Sequence, residues 1–284
     1  MAPKAGKAVV AALREDIDRL LAAEPDVRAD ADDSVHQMRV ATRRLRSVLR
    51  SYRDLFDAEA AAETGSELKW LADLLGVARD AEVRAERFSD LLANYDKVPA
   101  EVTEALVGAS NTAYTDAHAE VLTELDGSRY RRLSEVLTTW RTDPPLVKAL
   151  AKEDSATVFD HVVRRDRRRL RKMVFAEPTA TPDDRVEILH DIRKGAKRLR
   201  YSCEAAGEVL GDNATDLGKR AKRLQTVLGD HRDAVESREA ILAAATTPGP
   251  NATLYELLAD SEEAAAGRAL ASYPAAAAFV SVPD

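Results

Sequence analysis

Two segments of the chain put a histidine at the head of a run of cationic side chains, and any chemistry is expected to start there. HQMRVATRRLR begins at His36 and HDIRKGAKRLR begins at His190. On a helix turning ~100° per residue, His36, Arg39, Arg43, Arg46, Arg50 and Arg53 fall within a stripe about 100° wide. Arg44 lies at its flank, and Met38, Leu45, Val48, Leu49 and Tyr52 lie opposite. No acidic residue occurs from Ser34 to Arg53. A helix supported by surface ion pairs would set Glu four residues from Arg, gaining a few tenths of a kcal/mol. Here like charges stack three, four and seven residues apart, which destabilises the helix unless an anion compensates. Arginine forks and lysine point charges suit phosphate oxygens.

The second segment repeats the geometry. His190, Arg193, Lys197 and Arg200 share a face, with Ile188, Ile192 and Leu199 opposite and Lys194 and Arg198 at the flank. Glu204 stands where the first copy has Arg50, so this stripe is shorter. Two further basic faces follow. RRDRRRLRK, from Arg164 to Lys172 and including Arg168, has seven basic residues against Asp166 alone. Lys219, Lys222 and Arg223 sit opposite Ala221, Leu224 and Leu228. One basic run alone would read as a solvated face paired with acids on neighbouring helices. Two matched stripes and two more basic faces favour a bound polyanion. Aromatic residues are sparse among them, which favours a string of phosphates over stacked nucleobases.

Other reactive groups give weaker signals. His36 and His190 lack the spacing of a zinc-binding helix, leaving phosphate contact, helix capping or a metal shared between the halves as alternatives. Arg79–Asp80 and Arg232–Asp233 read as buried pairs holding helices together. Gly76 and Gly229 beside them read as sites of close helix contact or a kink. Cys203 is the single cysteine, so neither an intramolecular disulfide nor a cysteine zinc cage is expected. No Walker-type glycine loop and no nucleophile–base pair stands out.

The elements that position these residues are helices. The sequence is 45% hydrophobic and 32% charged, and its few glycines and prolines cluster between periodic segments. Periodicity predicts helices over about 7–23, from 33 or 34 through 56, over 66–95, from 99 to about 125, over 154–175, through the second basic stripe, and over 215–245. Pro25 is expected to end the first helix, with Asp33 or Ser34 capping the second. Asp143-Pro144-Pro145 is the strongest interior break. No apolar run approaches the ~20 residues of a membrane span, and no signal-peptide core opens the chain. A cytoplasmic protein without membrane contact is expected. The net charge of −7 argues against a polyanion partner on average, but local clustering decides what a surface attracts.

The halves repeat each other. The His-led motifs lie 154 residues apart, and LLGVARDAEV from Leu74 matches VLGDHRDAVE from Val227 at 153. An all-α fold of two pseudo-symmetric antiparallel bundles follows, 5–143 and 146–280, within one domain spanning 5–280.

HQMRVATRRLR, HDIRKGAKRLRY, LGVARDAEV and LGDHRDAV together resemble the CHAD family, the conserved histidine α-helical domain, over essentially the whole chain. The resemblance implies two helical bundles about a pseudo-two-fold with a basic central channel. It further implies inorganic polyphosphate as partner and targeting to polyphosphate granules. Arg39, Arg43, Arg46 and Arg50 would line one side and Arg193, Lys197 and Arg200 the other, with Lys69 and Lys222 from the following helices. The triphosphate tunnel domain often fused to this family is not expected in this length. The expectation is a binding module without cofactor, metal or catalytic activity. Nucleic-acid binding and metal-dependent polyphosphate hydrolysis are the alternatives.

Overall fold

Segments rich in Ala, Leu and Arg, with apolar residues every three or four positions, form long helices whose stability comes from one buried stripe each. In the computed structural model, which describes residues 3–179, 181–245 and 249–281, the chain is all-helical. The N-terminal half holds α1 (Ala5–Arg28), α2 (Ser34–Ser51), α3 (Ala58–Leu92), α4 (Ala100–Thr103), α5 (Ala109–Leu125) and α6 (Ser128–Trp140). After the short α7 (Lys148–Ala151) come α8 (Ser155–Ala176), α9 (Pro182–Leu210), α10 (Asp212–Ala244), α11 (Ala252–Ala271) and α12 (Tyr273–Ala277). Among the described residues there is no strand, only the isolated bridges Lys4–Asp154 and Phe56–Leu146. The second joins the chain after α2 to the double-proline break, where Val147 N–H donates to Leu55 O at 2.9 Å.

Packing follows the same order in both halves. α1 lies on α2, α2 on α3 and α3 on α5; α8 lies on α9, α9 on α10 and α10 on α11. The halves meet where α2 packs against α9. The face opposite the α2 cations is buried as expected: Met38, Leu45, Val48, Leu49 and Tyr52 are at most 3% exposed. Tyr52 and Phe159 meet with ring centroids 4.5 Å apart, and the Tyr52 hydroxyl donates to Ser202 O at 2.9 Å. The large core draws on α1, α2, α3, α8, α9 and α10. A smaller one gathers Phe88 and Leu92 at the end of α3, Val102, Leu106, Ile241 near the end of α10, and Leu258. Beside it Arg87 of α3 donates through both Nε and Nη2 to Glu262 of α11, which also accepts from Ser237 of α10 at 3.1 Å. The far ends of α3 and α10 are thereby fastened to each other.

Several local expectations need correction. Pro25 does not end α1, which runs to Arg28; Ala23 and Val27 remain buried on its core face. The helix expected from Pro99 to Leu125 is interrupted by a π turn at Glu104–Gly108. Asp33 is the N-cap of α2 in a left-handed conformation (φ 57°), but its carboxylate accepts from Gln37 at 2.5 Å instead of from a backbone N–H. The helix expected over 66–95 spans Ala58–Leu92, started by the Asp57 side chain accepting from Ala60 N–H at 3.0 Å. Gly211, at φ 66°, turns α9 into α10 with no loop between them.

Candidate functional site

The α2–α9 contact determines where the cations go. Apolar residues of both helices face the core, which turns Arg39, Arg43, Arg193 and Lys197 toward one another on the other side. The mutual influence is direct: burial first, then the charges of Arg43, Arg193, Arg39 and Arg200, pull the Lys197 ammonium down to about 6. Arg43 is likewise lowered to about 10, by burial and then by Arg39. Among the described residues neither Arg43 nor Lys197 has an ion pair. Arg39 has one carboxylate, Asp80 of α3, at 3.2 Å. The buried Nε atoms of Arg39 and Arg193 have no hydrogen-bond partner.

Glycine makes room for these side chains. A Cβ on Gly76 of α3 would sit 3.3 Å from Arg39 Nη2, and one on Gly229 of α10 would sit 3.5 Å from Arg193 Nε. The glycine of each repeated Leu-Gly pair is thus a bed for a guanidinium from the preceding helix. The four central cations are flanked by α3 on one side and α10 on the other.

The two histidines each face the α3 or α10 of their own half. His190 Nδ1 accepts from Arg232 Nη1 at 2.7 Å, and Arg79 is the charge acting most strongly on His36. Burial first and then those arginines lower both imidazoles below their ordinary range, so the resting histidines are neutral at pH 7. The buried Arg–Asp pairs expected at 79–80 and 232–233 are not formed. Arg79 bonds Glu82 at 2.8 Å, exposed Arg232 bonds Glu236 at 2.6 Å, and Asp80 serves Arg39. Asp233 is half-buried near Arg193, its carboxyl raised by desolvation.

The remaining expected cations divide into three groups. Arg46, Arg50 and Arg198 lie together beside the α8 arginines and carry no ion pair among the described residues. Arg44 and Arg200 are already neutralised. Arg44 pairs with Asp16 at 2.8 Å and Glu204 at 2.5 Å, and Arg200 pairs with Glu204 at 2.7 Å. The rest stand outside the cluster. Arg164 pairs with Asp160 on a groove shared with Asp216 and Arg220, and Lys219 pairs with Asp216. Lys69 bonds Asp73 at 2.5 Å, and Arg168, Lys222 and Arg223 are exposed. Lys69 and Lys222 nevertheless occupy the same helix faces as Gly76 and Gly229, two turns earlier.

The family model for the CHAD domain matches residues 11–242. The chain belongs to the CHAD family. It is 40% identical over 258 residues to an uncharacterized protein of Mycobacterium tuberculosis (strain ATCC 25618 / H37Rv), covering 88% of this chain and 48% of that protein. A counterpart from the CDC 1551 / Oshkosh strain is 39% identical over the same shares. The chain therefore spans about half the length of the curated relatives it matches. Among solved structures, PptA from Streptomyces chartreusis is similar with a TM-score of 0.80 at 22% identity, over 96% of this chain and 99% of that one. The CHAD domain from the plant Ricinus communis gives 0.74 at 24% identity, over 100% and 93%. At these identities the two structures speak for the fold.

Sequence reasoning missed three contributors to this CHAD site. Tyr201 is buried beneath Lys197, Arg200 and Arg44, with their charged ends 5.2–6.0 Å from its ring centroid. Its place directly after the second Arg-Leu-Arg was the available signal. Arg169 was passed over because the α8 run is too uniformly basic for periodicity to choose among its members. Asp16 gave no signal at all: it is an acid in an amphipathic helix, and only the fold brings it to Arg44. Among the described residues no group of three or more His, Cys, Asp or Glu is placed to hold a metal ion.

Proposed function

We propose that this CHAD chain is a binding module for inorganic polyphosphate, held at the central cations and serving attachment to polyphosphate granules in the cytoplasm. One observation carries the reading: Arg39, Arg43, Arg193 and Lys197, drawn from both halves, crowd together with a single ion-paired carboxylate among the described residues. Crowding of like charge destabilises the free protein, and a multiply charged anion removes that cost. The guest suggested is a strand of phosphates, because the one aromatic ring present, Tyr201, is buried under cations and offers no face for a base. The supposed duplication accounts for the paired supply of arginines, and the space between α3 and α10 is the candidate channel.

Affinity should fall steeply with salt, as counterions released on binding are recovered. The combined variant Arg39→Glu, Arg43→Glu, Arg193→Glu, Lys197→Glu should lose binding while its circular dichroism stays helical. Unchanged affinity for polyphosphates of graded length would refute the assignment. Release of phosphate on incubation with divalent metal would instead make the chain a hydrolase, with Asp233 the first carboxylate to test. Preference for RNA or DNA over polyphosphate at fixed salt would favour the nucleic-acid alternative.

A further inference from the structure

The two flanks of the α2–α9 pair occupy matching positions yet differ in charge. On one flank Arg44 of α2 meets Glu204 of α9 and the buried Asp16 of α1. Moving each residue to its counterpart in the other half, by 154 positions in α2 and α9 and by 150 in α1 and α8, gives Arg198, Arg50 and Asp166. The buried acid is kept: Asp16 and Asp166 are each 3% exposed. The partner acid is not, because Arg50 stands in the place of Glu204. Arg19 of α1, which pairs with Glu15 at 2.5 Å, has Arg169 as its counterpart, and Glu15 itself has Arg165.

The result is one neutralised flank and one cationic flank. Asp166 is occupied, accepting from Ser51 Oγ at 3.0 Å and Ser202 Oγ at 2.5 Å. Arg165 is occupied as well, donating to Ser51 O and lying 3.4 Å from Asp54 and 3.7 Å from Asp166. Arg46, Arg50, Arg169 and Arg198 remain without ion pairs among the described residues, and Arg50 and Arg169 are exposed. Arg46 and Arg50 continue the α2 stripe from Arg43, Arg50 lying about 10 Å further along the helix. A guest leaving the central four therefore meets arginines on this side and Glu204 on the other.

We propose that Arg46, Arg50, Arg169 and Arg198 form a one-sided extension of the central cation cluster, taking further phosphates of a chain too long for the centre alone. This rests on polyphosphate being the guest. It makes binding directional with respect to the two halves: a short anion occupies the centre, and a long one runs out over α8.

The test compares tripolyphosphate with a long polyphosphate on the full chain, by calorimetry at several salt concentrations. Arg50→Glu with Arg169→Glu changes two exposed side chains. It should weaken the long chain about tenfold or more, flatten the salt slope by roughly 2, and leave tripolyphosphate within about twofold. Arg19→Glu, on the matching flank, should leave both affinities unchanged. Equal losses for both ligands, no loss for either, or an equal effect of Arg19→Glu would each overturn the extension while wild-type binding still upheld the function. Failure of the wild-type protein to bind any polyphosphate would instead remove the functional assignment, and the extension with it.

Discussion

Lys197 should take up a proton when polyphosphate arrives. Its ammonium is held near 6 by burial and by Arg43, Arg193, Arg39 and Arg200, against an ordinary value of 10.5. In the free protein it is then about half charged at pH 6 and charged in about one molecule in a hundred at pH 8. A phosphate guest restores the ordinary value, because opposite charge within contact distance favours the charged form. Affinity should accordingly fall roughly 50-fold from pH 6 to pH 8, with close to one proton absorbed per molecule bound near the upper end. Neighbouring groups have less far to move. Arg43, at about 10, stays charged throughout, and His36 and His190 titrate below their ordinary range. Calorimetry in two buffers of different ionisation enthalpy counts the proton, and Lys197→Met subtracts the titration of the terminal phosphates. Parallel loss of affinity in wild type and Lys197→Met, with no difference in protons absorbed, would refute the reasoning.

The same lysine gives a stability signature of opposite sense. Its folded value lies below the unfolded one, so between about pH 6 and 10.5 the unfolded chain binds more protons and stability of the free protein rises with pH. Lys197→Met should flatten that rise and stabilise the free protein at neutral pH by on the order of 5 kcal/mol, measured by urea unfolding.

Glu262→Ala should cost about 3–5 kcal/mol in urea unfolding, since Glu262 is 3% exposed and its loss strands Arg87. Glu262→Gln should cost less, because it still accepts from Arg87 and Ser237. Gly76→Leu and Gly229→Leu should each displace a guanidinium and weaken polyphosphate binding about tenfold, the worth of one charge-assisted contact. Gly65→Ala, with nothing within 4 Å of its Cβ, should raise stability by about 0.5–1 kcal/mol and leave binding alone.

What was legible in the sequence was whatever a helix fixes about itself. The α2 stripe could be read because 18 residues pass without an acid between Ser34 and Ser51, and the apolar positions opposite it are indeed core. What could not be read was which helix faces which. Periodicity gives the angle of Arg44 about its own axis, but Asp16 and Glu204 come from α1 and α9, and their pairing with Arg44 depends on how three helices pack. For the same reason periodicity turns Arg232 toward a buried pair although it reaches His190 at the surface, and it says nothing of Arg39 filling the vacant side of Gly76. Pro25 misled through a rule about helix interiors, which the buried Ala23 and Val27 on the same helix outweigh.

A protein with net charge −7 can keep a cationic centre only if the repulsion is resisted elsewhere. Two fastenings do so here. Beneath the cations, Tyr52, Phe159 and Ser202 join the halves through ring contact and a buried hydrogen bond. At the far ends of α3 and α10, Arg87, Glu262 and Ser237 join them again around a separate apolar cluster. Arg39, Arg43, Arg193 and Lys197 lie among α2, α9, α3 and α10, helices that these fastenings hold in place. Their charges cannot relax apart without breaking one fastening or the other, so the strain persists until something neutralises it. Among the described residues, neutralisation by the protein itself is fullest on the flank where Glu204 serves Arg44 and Arg200, and in the centre it reaches only Arg39, through Asp80. The affinity of the centre for an anion is therefore a consequence of rigidity at places that touch no ligand, and loosening the Arg87–Glu262 contact should lower affinity as well as stability.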